Sequence, residues 1–248
     1  MARTLEPNKE VDDFIKQSND SFNQYSKLWA LMPSEGHNTE KQQLAVDAAF
    51  RLGIQWETFR HRWFVASISK KPDIFVKKVQ SEVDKGAEKI RHLLYAMQPR
   101  ANLTFPLRPT REQIEASLDP DGYNITFTDH QKWASMASSH LDSEYVDLVR
   151  NIASDAEQTC IIDLLTSIRN YVAHQSQGSL ARFNECIRPR QRTTKVGLVG
   201  STNLDVFARD ERGVGKLGPY LHRWVQGDRR VGHLNARVQS IAQNLMVV

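Results

Sequence analysis

Cysteine is nearly absent: Cys160 and Cys186 are the only two in 248 residues. Two thiols make neither a disulfide framework nor a paired-cysteine zinc site, which points to a cytoplasmic protein with reduced thiols. No run approaches the roughly 20 apolar residues that span a bilayer, so no membrane partner is expected. The segment Met1-Ala2-Arg3-Thr4-Leu5-Glu6-Pro7 lacks the apolar core of a signal peptide. Without secretion, the glycosylation patterns at Asn102-Leu103-Thr104 and Asn124-Ile125-Thr126 mean nothing. There is no Gly-x-Ser-x-Gly elbow, no long internal repeat and no low-complexity tract. Gly213-Val214-Gly215-Lys216-Leu217 fails as a phosphate loop, because Leu217 stands where Ser or Thr must follow the lysine and the upstream glycine is missing.

What is present is ordinary globular material with a basic tilt. Hydrophobic residues make up 40% and charged residues 25%, and the formal net charge is +4. Such a balance supports polyanion binding without establishing it. Apolar residues recur at helical spacing over 8–31, through Val11, Phe14, Phe22, Tyr25 and Leu28, and from Leu44 to Phe64 in a second helix that Thr39 is placed to cap. A third helix is expected over 73–97. Then Pro99, Pro106, Pro109, Pro120 and Gly122 mark an insertion over about 98–128, with one short helix at 110–118 and a short strand at 123–127. Asp129 looks like an N-cap, and further helices follow over about 143–153 and 156–175. The polar stretch 177–213 reads as a basic loop, with a small β-hairpin allowed at 195–206. C-terminal helices are expected over about 219–246, with Arg229 and Arg230 as a break or a basic face. The whole of 1–248 is read as a single all-α domain.

The chemistry concentrates at Ile168-Arg169-Asn170-Tyr171-Val172-Ala173-His174-Gln175. An arginine, an asparagine and a histidine leave the apolar run Cys160-Ile161-Ile162-Asp163-Leu164-Leu165 together. An arginine can clamp a phosphate and an imidazole can move a proton near neutral pH. Arg169 and His174 are five apart, so on a regular helix they point about 140° away from each other. Asn170 and His174 share a face. Either the helix distorts, or Arg169 meets the site from another direction, as a cleft between two copies of the chain would allow.

These residues resemble the motif of HEPN-domain proteins, whose ribonuclease members carry an arginine, a polar residue, and a histidine four to six positions after the arginine. The second helix is similar too, with an acidic residue beside aromatics in Trp56-Glu57-Thr58-Phe59. The resemblance covers about 44–64 and 156–176, and implies an all-α HEPN-like bundle that dimerises through this region. It further implies metal-independent endoribonuclease activity with Arg169, Asn170, His174 and Glu57 at the site and no cofactor. In that scheme the ribose 2′-OH attacks its own 3′ phosphate and leaves 2′,3′-cyclic phosphate and 5′-OH ends. Bacterial members of this type commonly act as toxins or in anti-phage defence, often with a neutralising or regulatory partner protein.

Arg188, Arg190 and Arg192 follow the motif closely and are placed to guide RNA by its phosphates. Glu57 and His61 are four apart, as two metal ligands could be, but the three or four ligands a metal needs are not in evidence. Two other readings compete. One is a HEPN-like module that binds RNA, nucleotide or protein without cutting; the other is an unrelated helical interaction protein in which Arg169 and His174 meet by coincidence.

Overall fold

The computed structural model describes residues 5–33, 35–89, 106–119, 127, 129–189, 197–198, 202–208 and 213–247, with backbone alone at 86–89 and 202–203. In chain order they form α1 (Pro7–Leu31), α2 (Asn38–Lys70), α3 (Asp73–Lys89), α4 (Arg111–Leu118), α5 (His130–His140), α6 (Ser143–Ser154), α7 (Ala156–His174) and α8 (Gln177–Cys186). A 3-10 turn at Thr202–Phe207 precedes α9 (Leu217–His222), the strands β1 (Trp224–Val225) and β2 (Asp228–Arg229), and α10 (Arg230–Gln243). The fold is all-α, with one small antiparallel hairpin among the described residues.

α2 is the axis of the bundle. It packs against α1, α4, α7, α9 and α10. Ala45, Val46, Leu52, Trp56, Phe59, Trp63 and Phe64 are buried around much of its circumference, as an enclosed helix requires. Aromatic rings tie its middle to its neighbours. Phe14 of α1 stacks on Phe59 at 4.7 Å, and Trp133 of α5 meets Trp56 and Trp63 edge-on, each at 6.3 Å. The Trp63 indole donates to the Leu245 carbonyl at 3.3 Å, which draws the end of the chain onto the same core.

Short polar side chains set several boundaries. Thr110 and Gln113 form a reciprocal capping box at the start of α4. Asp129 accepts from the Lys132 amide at 2.7 Å to open α5, as its position in the sequence suggests. Asp155 ends α6 and opens α7, accepting from the amides of Glu157 and Gln158. The expected helices therefore hold over α1, α2, α4, α5, α6 and α7. The helix start near Thr39 falls instead at Asn38, with His37 at the cap and no side-chain cap bond there.

Two expectations change. Residues 177–186 are not loop but helix, capped by Ser176 and turned inward at Phe183 and Cys186. Their apolar positions are few and separated by Asn and Glu, which is why the stretch reads as solvated surface. The hairpin lies at 224–229, inside the expected C-terminal helices, and it is the break at Arg229 and Arg230. The expected third helix beyond residue 89 and residues 123–126 of the expected strand lie outside the described residues, and Phe127 is not in a strand. The hairpin allowed at 195–206 is not formed where it is described: Leu198 makes a single parallel bridge to Pro189, and Thr202–Phe207 is a 3-10 turn.

Candidate functional site

α7 crosses α2 at a glycine. A Cβ built on Gly53 would stand 2.8 Å from the Arg169 Cβ and 3.8 Å from the Leu165 carbonyl oxygen, so only a residue without a side chain admits α7 this closely. One turn along α2, on the same face, stands Glu57. Its Oε2 lies 3.1 Å from Arg169 Nη2. Arg169 Nη1 donates to Asn170 Oδ1 at 2.9 Å. The Arg169 side chain is 33% exposed and that of Glu57 30%, so the guanidinium is fixed on two sides and still reaches solvent. Three of the four catalytic residues expected from the sequence thus meet at one crossing.

His174 stands apart from them. It is the last residue of α7 and is exposed. The helix runs unbroken from Arg169 to His174 and ends at Gln175, whose φ of 49° is left-handed. No bend or bulge brings the imidazole round, so it and Arg169 point about 140° apart within one chain. Among the described residues no hydrogen bond or ion pair joins His174 to Arg169, Asn170 or Glu57.

Arg60, one turn beyond Glu57, is 1% exposed. Its guanidinium carbon sits 5.7, 5.8 and 5.5 Å from the rings of Trp56, Trp133 and Phe127, and Nη2 donates to the Phe127 carbonyl at 3.3 Å. Among the described residues Nε and Nη1 have no hydrogen-bond acceptor. Burial pulls its pKa down to about 10, against the opposing pull of the Glu57 and Asp129 carboxylates, so it remains a cation at neutral pH. The Glu57 carboxylate is therefore flanked by two cations, one rooted in the core and one at the surface.

His61 does not join Glu57. Its Nε2 lies 2.9 Å from Glu115 of α4, which Arg111 also holds at 2.9 Å. Burial pushes the Glu115 carboxyl up, but the bonds from His61 and Arg111 outweigh it and leave the group below its usual range. No cluster of three His, Cys, Asp or Glu side chains suited to a metal occurs among the described residues. No described helix is long and apolar enough to cross a membrane. Arg188 is exposed just past α8. Arg190 and Arg192 lie outside the described residues.

The chain matches no family model, no curated protein and no solved structure. A guanidinium one-third exposed and held by a carboxylate and an amide can present two N–H groups to a phosphate with little loss of side-chain freedom on binding. An exposed imidazole can exchange protons with a bound ligand. Sequence reasoning missed Gly53, because a glycine inside a helix reads only as a small cost, and Arg60, because arginine is seldom fully buried. The second could have been suspected from Trp56, Arg60 and Trp63 sharing a helical face.

Proposed function

We propose that the protein is a metal-independent endoribonuclease of the HEPN type, with a site composed from two copies of the chain. The observation that carries this reading is the crossing of α2 and α7, where Gly53 and Glu57 hold Arg169 and Asn170 at the surface. Arg169 binds the scissile phosphate and steadies the charge that grows in the transition state. His174 takes the proton from the ribose 2′-OH as the 2′ O–P bond forms and gives a proton to the 5′ oxygen as the P–O5′ bond breaks. Asn170 orients the guanidinium. Glu57 acts as a positioning residue through its ion pair with Arg169. Because α7 runs as one continuous α-helix from Arg169 to His174, the two residues of one chain face different directions, and a symmetric pairing of α7 helices lets each arginine work with its partner's histidine. DNA lacks the attacking hydroxyl and is not cut. The reading extends to a toxin or defence role with a restraining partner protein, which rests on the family resemblance alone.

A second reading has its own observation. Arg169 is already engaged by Glu57 and Asn170, and His174 touches neither, as fits a bundle that binds RNA or protein without cutting it.

The deciding experiment incubates purified protein with labelled single-stranded RNA in excess chelator, beside His174→Ala. The proposal expects cutting by the parent alone, with cyclic-phosphate ends. Cutting by both proteins moves the site elsewhere, and a dimer that binds RNA without cutting supports the second reading.

A further inference from the structure

The hairpin places a tryptophan in solvent on a base of stacked cations. Trp224 of β1 is 62% exposed. It is paired directly across the hairpin with Arg229, so the two side chains share a face. The Arg229 guanidinium carbon lies 5.6 Å from the Trp224 ring and 4.1 Å from the ring of Trp29 in α1, a sandwich of one cation between two indoles. Lys41 Nζ sits 4.7 Å from the Trp29 ring, but Lys41 is buried and donates to the Pro33 carbonyl at 2.8 Å, so it steadies Trp29 from within. Arg223, next to Trp224, is exposed.

This arrangement is held in place. Arg229 Nη1 donates to the His222 carbonyl at 2.6 Å. Gln226 and Gly227, with φ of 48° and 88°, make the tight turn whose twist matches paired strands. His233 of α10 lies 2.8 Å from the Val225 carbonyl. The one acidic side chain of the hairpin, Asp228, is turned away over the first turn of α10, where a Cβ on Gly232 would collide with its carboxylate. Its absence from the Trp224 face leaves that face cationic. Burial, with Arg229 and Lys41 close by, pulls the His222 imidazole below its usual range, in keeping with a positive local field.

We propose that Trp224, backed by Arg229 and Trp29, is a base-stacking platform for single-stranded RNA, with the exposed Arg223 attracting the phosphates. An indole with one face on a guanidinium and the other in water accepts any base by its π-face, and neighbouring cations follow the backbone. The platform lies away from the α2–α7 crossing, on the hairpin between α9 and α10. It rests on the proposed reading for its choice of RNA as the natural ligand, and it gives that substrate a second point of attachment. Stacking needs no 2′-OH, so single-stranded DNA binds the platform while escaping cleavage.

The test measures fluorescence anisotropy of labelled oligouridine and oligodeoxythymidine with the parent, Trp224→Ala and Trp224→Phe, alongside cutting at saturating RNA. Trp224→Ala weakens binding of both oligomers about tenfold or more. Trp224→Phe, which keeps a π-face, holds affinity within about threefold. Thermal midpoints stay equal, because Trp224 is exposed. Unchanged affinity in Trp224→Ala, or no binding by the parent, overturns the platform. Polyglutamate that displaces RNA charge for charge, with the same dependence on Trp224, also overturns it in favour of an acidic protein partner. RNA that is bound through Trp224 but never cut leaves the platform standing and refutes the cleavage reading instead.

Discussion

Two arginines flank the same glutamate and serve opposite ends. Arg60 lies inside the bundle, 1% exposed, with aromatic rings for neighbours and two of its nitrogens without acceptors among the described residues. Arg169 lies on the rim, a third exposed, bound to Glu57 and Asn170. The first cannot meet a ligand without the core opening. The second can exchange contacts with a phosphate at small cost, because exposed ion pairs contribute at most about 1 kcal/mol. A guanidinium by itself says nothing of function; its access to water and the partners it can release decide what it does.

The comparison breaks first at Arg60. Arg60→Ala leaves a cavity the size of a large side chain and should lower stability by about 3 kcal/mol, read from the urea midpoint at constant slope. Arg60→Met fills most of the space without a buried charge and should stay within about 1 kcal/mol of the parent, since an apolar replacement for a buried ion is often neutral or better. If Met costs as much as Ala, the cation itself matters to the fold and the contrast with Arg169 weakens.

Gly53→Ala comes next. Replacing a helical glycine by alanine ordinarily gains up to about 1 kcal/mol. Here the new methyl meets the Arg169 Cβ at 2.8 Å, and overpacking of this kind costs roughly 1–3 kcal/mol. The clash should win, for a net loss of about 1 kcal/mol in the same titration, accompanied by a drop in RNA cutting as α7 shifts. A gain in stability would mean that α7 yields freely and that the crossing does not fix Arg169.

Glu57→Gln is the mildest. The pair is about a third exposed at each end, so its loss should cost less than about 1 kcal/mol. Cutting should fall by less than about tenfold, as expected when Arg169 keeps its charge and loses only a guide. A loss as deep as that of Arg169→Ala would make Glu57 a participant in proton transfer.

Much of this frame was legible in the sequence. The apolar spacing of α1 and α2, the short helix at 110–118 and the cap at Asp129 are local signals, and local signals survive folding. So was the meeting of Glu57 with Arg169, through the family resemblance. What was not legible depends on distant partners. Gly53 looks like a flaw in α2 until α7 lies across it. Helix α8 has few apolar residues and depends on the core that receives Phe183. Arg229 and Arg230 look alike in sequence. Yet Arg229 stacks between two tryptophans, while Arg230 is buried and donates to the carbonyls of Val206, Tyr220 and Ala208. The turn at Gln226-Gly227 lacks the Asn-Gly or Asp-Gly signature that would have marked the hairpin.

The most direct measurement mixes two inactive variants, Arg169→Ala and His174→Ala, allows subunits to exchange, and follows cleavage of single-stranded RNA in excess chelator. Each variant alone should be silent while the parent cuts. In a mixed dimer, one cleft receives both substitutions and the other keeps an intact arginine from one copy and an intact histidine from its partner. Activity should therefore return to about a quarter of the parental rate in a symmetric two-site dimer. A mixture that stays silent after exchange, or either variant cutting at the parental rate, would contradict the composite site.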